Sequence, residues 1–92
     1  MKIEVKKFGD MLISHPQGKE DFLVISSILK DSKNIKSIEV DFFGVKVLTP
    51  SWAEEVLFPL SKKFNNIKLL NIENPSVQAT LKTLREYSDL KI

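Results

Sequence analysis

Ile3 and Val5 alternate with Glu4 and Lys6, the period of a half-buried strand, and Gly9-Asp10 is a turn signal ahead of the short apolar stretch Met11-Leu12-Ile13. The pattern predicts a hairpin. Ser14-His15-Pro16-Gln17 then carries helix-start chemistry, in which Ser14 can cap with Gln17 three residues on. Phe22, Ile25, Ile28 and Leu29 follow at helical spacing as far as Lys30, and Asp31-Ser32-Lys33-Asn34 reads as the helix exit.

Ser37 to Phe42 reads as a central strand whose end carries Asp41, and Gly44 breaks it. From Trp52 to Phe64 the residues Ala53, Val56, Leu57, Leu60 and Phe64 form a stripe at spacings of three and four, which predicts a second helix. Pro59 falls inside that helix and is expected to kink or end it, at a cost of ~3 kcal/mol. Ile67 to Ile72 is almost entirely apolar, the composition of a strand covered on both faces. Asn74-Pro75 opens a third helix with Val77, Leu81 and Leu84 on its buried side. Pro16, Pro50 and Pro75 each stand at a helix start, where a missing N–H removes no helical hydrogen bond. The expected fold is a single α/β domain over residues 1–92. It has three helices and a mixed sheet of about four strands, an N-terminal hairpin followed by parallel strands with right-handed crossovers.

Composition narrows the function. With 42% hydrophobic and 28% charged residues the 92-residue chain is an ordinary globular domain. The uncharged run Phe22 to Leu29 is eight residues, far short of the roughly 20 that cross a bilayer, and the charged N-terminal segment lacks the apolar core of a signal peptide. A cytoplasmic location is expected. The absence of cysteine removes thiolate nucleophiles, disulfides and cysteine-based metal sites. The net charge is +2, but the lysines are dispersed and Arg85 is the one arginine, which argues against phosphate or base recognition.

His15 is the one histidine and adjoins Ser14, yet neither an orienting acid nor an oxyanion hole can be placed beside them, so His15 reads as a helix-start residue and no catalysis is expected. A lone histidine without cysteine also argues against a metal site, and no cofactor motif can be assembled around Gly9, Gly18 and Gly44. Thr49-Pro50-Ser51 carries the most chemistry. Thr49 can cap the second helix, or Ser51 can cap it with Glu54 in a capping box, while a hydroxyl at that helix end can also accept a phosphoryl group. Glu54 and Glu55 read as first-turn acids facing the positive end of the helix dipole.

The stretch Asp41, Phe42, Gly44, Val45, Val47, Leu48, Ser51, Trp52, Ala53, Glu54 and Glu55 resembles the core signature of STAS-like domains, nearest to the bacterial STAS-like group of unknown function, with Asn71, Asn74 and Val77 matching a later strand and loop. The similarity runs from about Gly9 to Tyr87. It implies an α/β regulatory module that binds another protein. By likeness to the anti-sigma factor antagonists, the partner would be a histidine-kinase-like ATPase and the working surface Thr49 to Glu55. The antagonists' phosphoacceptor serine falls on Pro50 here, the loop acid on Thr49 and the following glycine on Trp52. Thr49 and Ser51 are therefore expected to be unmodified, and Trp52, one position off the helical stripe, to be partly exposed at the binding patch. The alternative function is a small-ligand or nucleotide sensor using the crevice outside the strand ends.

Overall fold

In the computed structural model, which describes residues 1–31 and 34–92, the strands that pair are distant in sequence. β1 (Lys2–Glu4) lies parallel to β3 (Ile38–Asp41), which lies parallel to β5 (Ile67–Leu70). β2 (Met11–Leu12) lies parallel to β4 (Val47–Leu48) in a second ladder. Among the described residues three helices complete the fold: α1 (His15–Asp31), α2 (Pro50–Lys63) and α3 (Pro75–Tyr87). The α/β class, the three helices, the parallel later strands and the central place of β3 are as the pattern predicts.

The N-terminal hairpin does not form. Val5–Phe8 make a 3-10 turn, closed by the Gly9 N–H donating to the Lys6 carbonyl at 3.0 Å, and β1 and β2 pair with β3 and β4 instead of with each other. Segments 2–12 and 38–48 thus run as two partners that pair, part and pair again. The register offset is 37 in the first ladder and 36 in the second, so the excursion 5–10 is one residue longer than the excursion 42–46 it sits beside. Short apolar runs signal strands but not their partners, and five short strands replace the expected four for this reason.

Sequential strand order with right-handed crossovers places α1 and α2 on one face of the sheet, where they pack against each other. The register partners Ile3, Val40 and Leu69 face that layer, and Lys2, Glu39 and Lys68 share the opposite, solvated face. β5 is accordingly an edge strand with one open face, not the doubly covered strand its composition predicts. Lys68 is the residue that betrays this. No helix among the described residues is long and apolar enough to cross a membrane.

The helix starts follow their local chemistry unequally. Ser14 Oγ accepts the Gln17 N–H at 3.2 Å, and Gln17 Oε1 accepts the Ile13 N–H at 3.3 Å, so the expected cap is present on α1. Asn74 Oδ1 accepts from the N–H groups of Ser76 and Val77 at 2.7 and 3.3 Å and caps α3. Within α1 Ile25 is buried, Phe22 and Leu29 are half-buried and Ile28 is exposed; of the predicted exit, Ser32 and Lys33 lie outside the described residues. α2 passes through Pro59 and ends at Lys63, so the proline neither ends the helix nor shortens its buried face of Trp52, Ala53, Val56, Leu57 and Leu60.

α3 also completes the second ladder. Leu48 N–H donates to Ser76 Oγ at 2.9 Å, while Ser76 Oγ–H and Thr80 Oγ1–H both donate to the Leu48 carbonyl, at 3.1 and 2.6 Å. These hydroxyls satisfy the edge of β4 that β2 does not reach, which is the obligation every buried backbone polar group carries. Asn74 Nδ2 adds bonds to the carbonyls of Val45 and Lys46 at 3.1 and 3.3 Å, fixing the loop ahead of β4.

Candidate functional site

The start of α2 is built from β4 and braced by β2. Thr49 is extended (φ −109°, ψ 157°); its N–H donates to the Leu12 carbonyl at 3.0 Å and its Oγ1–H to the same oxygen at 3.2 Å. That hydroxyl therefore ties two strands together and does not cap the helix, contrary to the sequence expectation. Only the Thr49 carbonyl serves α2, accepting the Ala53 N–H at 3.1 Å. Ser51 forms no capping box with Glu54: its Oγ makes no hydrogen bond among the described residues, and it is half-buried at the helix surface. With Pro50 as the first helical residue, Glu54 and Glu55 lie beyond the first turn, so the dipole does not explain them.

Trp52 is the largest departure. It is 0% exposed, and its Nε1–H donates to Asp21 Oδ2 at 2.9 Å. The residue stands four before Val56 and so lies on the stripe of α2, with Ala53, Val56, Leu57 and Leu60; counting the stripe from Ala53 hid this. Its indole anchors α2 to α1 and is out of reach of a partner. Beside it, Gly18 of α1 lies so close to α2 that an added Cβ would fall 2.8 Å from Glu55 Cβ and 2.9 Å from the Trp52 carbonyl oxygen. His15 stands at the same junction, with Nδ1 3.2 Å from Glu55 Oε1 and half its side chain in solvent.

What the α2 start does expose comes from β2. Met11 and Ile13 are 54% and 51% exposed on either side of the buried Leu12, whose carbonyl holds Thr49. The sequence pattern puts Met11-Leu12-Ile13 in a hairpin without assigning its faces; the period-two spacing of a strand is the signal that Met11 and Ile13 share the side opposite Leu12. Thr49, Pro50, Ser51, Glu54 and Glu55 are all half-buried.

Asp41 and Gly44 belong to a second cluster. Asp41 Oδ1 accepts from Asn71 Nδ2 at 2.7 Å and from the Phe43 N–H at 3.0 Å, and Oδ2 lies 3.2 Å from Lys2 Nζ. The Asn71 amide foremost, then the Phe43 N–H and Lys2, hold its carboxyl below the ordinary carboxylate range, against a burial that works the other way. Gly44 adopts φ 81° in the turn that follows. These bonds join the ends of β3 and β5 and shape the excursion 42–46. They do not reach Thr49 or Ser51.

A family model described as a STAS-like domain of unknown function (DUF4325) matches residues 23–78, a span that contains Asp41, Gly44, Ser51 and Asn74. No curated protein and no solved structure matches the chain.

Proposed function

The chain belongs to the family of STAS-like domains of unknown function, and from that premise we propose that it is a non-catalytic regulatory module that binds another protein through the start of α2 and the adjoining β2. One observation carries this reading: Met11 and Ile13 are exposed beside a backbone that Thr49 fixes through both its N–H and its hydroxyl. Large apolar side chains held on rigid backbone supply binding area with little ordering cost, and the polar Ser51, Glu54 and Glu55 at the start of α2 would supply a suitable rim. Trp52 supports this surface from below. The likeness to anti-sigma factor antagonists favours a histidine-kinase-like ATPase as partner, in the cytoplasm. Pro50 stands where those proteins carry their phosphoacceptor, so binding here works without a phosphoryl switch.

Affinity purification of the tagged chain from its native cells, alongside Ile13→Asp and Ser51→Arg variants, tests the proposal. An ATPase of that class retained by the unsubstituted chain and lost from both variants, at unchanged melting temperature, is the expected result. Equal retention by all three would refute the assignment of the surface.

A further inference from the structure

The turn between β3 and β4 holds Phe43 out into solvent, 71% exposed, on a backbone fixed at both ends. Phe43 N–H donates to Asp41 Oδ1 at 3.0 Å, and Val45 N–H closes the turn on the Phe42 carbonyl at 3.0 Å. Gly44 supplies the positive φ of 81° that the third position of such a turn requires. The stem of Lys6 lies across Gly44, where an added Cβ would meet Lys6 Cδ at 2.5 Å. An aromatic ring presented this way loses little freedom when it is covered.

Beside the ring opens a cavity of about 220 Å³ lined by Glu4, Lys6, Lys7, Asp41 and Phe43. The charged residues that line it are matched with one exception: Asp41 pairs with Lys2 at 3.2 Å and Glu4 with Lys7 at 3.0 Å, while Lys6 has no ion-pair partner among the described residues. We infer that this end of the sheet is a docking site for an acidic segment of a partner protein, whose carboxylate pairs with Lys6 and whose adjacent apolar side chain covers Phe43 and enters the cavity. The surplus cation selects an acidic occupant over a basic one. A nucleic acid fits less well, because its evenly spaced phosphates would pass over Glu4 and Asp41, whereas a single carboxylate needs Lys6 alone. The site shares no residue with the start of α2 and stands or falls independently of that surface.

The test is a nitrogen-15 NMR titration of the whole chain with a blocked peptide of alternating glutamate and leucine, a lysine-leucine peptide of equal length, and a thymidine oligonucleotide. The glutamate peptide is expected to shift the amides of Lys6, Phe43 and Gly44 saturably and less so as salt is added. Phe43→Ala should weaken it by roughly thirtyfold and Lys6→Glu by roughly tenfold. Both side chains are exposed, so unchanged melting temperatures will show that the variants fold. Unmoved amides, equal binding by either variant, or a stronger response to the lysine peptide or the oligonucleotide would overturn the inference.

Discussion

Gly18 and Trp52 mark a close approach of α1 and α2: the α-carbon of one faces the backbone carbonyl of the other across a gap that no side chain can enter. Gly18→Ala must therefore push the helices apart or displace Glu55, and overpacking of this kind costs about 1–3 kcal/mol. Denaturant titration should show that loss, although alanine is the better helix former.

The indole of Trp52 reports on the same junction. Its emission in the folded protein should be blue-shifted and resistant to iodide, because the ring is sealed and its N–H is held by Asp21. Binding of a partner should leave the emission nearly unchanged. A red, quenchable signal in the native state would contradict the packing described.

Asp41 should make the fold acid-sensitive. Its carboxyl is held below its unfolded value by Asn71, the Phe43 N–H and Lys2, so its contribution is fully present above the unfolded pKa of about 3.9 and is lost as pH falls through the folded one. Asp41→Asn should cost about 1.5–3 kcal/mol near neutrality, the value of a hydrogen bond to a charged group. It should also flatten the fall in stability below about pH 4. An unaltered pH profile would assign the acid sensitivity elsewhere.

The helix starts should respond unequally to alanine. Asn74→Ala removes the cap of α3 and its two bonds to the Val45 and Lys46 carbonyls, and should lose about 2 kcal/mol. Ser51→Ala removes a hydroxyl that has no hydrogen-bond partner among the described residues and should stay within about 0.5 kcal/mol of the unsubstituted protein. Melting curves of the two variants separate the cases.

How far the sequence disclosed these features depended on the range of the forces involved. The caps at Ser14 and Asn74 were legible because a cap is local chemistry between residues two or three apart. Strand partnership was not, since β1 meets β3 across α1 and nothing in Lys2-Ile3-Glu4 names that neighbour. Thr49 looked like a cap because its type and position suit one, yet its hydroxyl donates instead to the Leu12 carbonyl, brought alongside by the β2–β4 ladder. At the candidate site the start of α2 was legible as a place; Met11 and Ile13, its exposed apolar members, become visible only once β2 is known to lie beside β4.

On the proposed reading, the absence of a phosphoryl switch should separate this chain from the anti-sigma factor antagonists. Thr49 Oγ1 is engaged with Leu12, Pro50 has no hydroxyl, and Ser51 is flanked on its own helix by Glu54 and Glu55. Intact-mass spectra of the protein from its own cells should show no phosphoryl group, and Ser51→Ala should retain its partner. A substantial phosphorylated fraction at Ser51 would restore a switch.

Hydrogen exchange of the chain alone and with its co-purified partner tests the α2 start as the contact surface most directly. Protection on binding should fall on residues 11–14 and 49–55. Protection confined to the outer face of α1 or to the open edge of β5, with residues 49–55 unchanged, would contradict it.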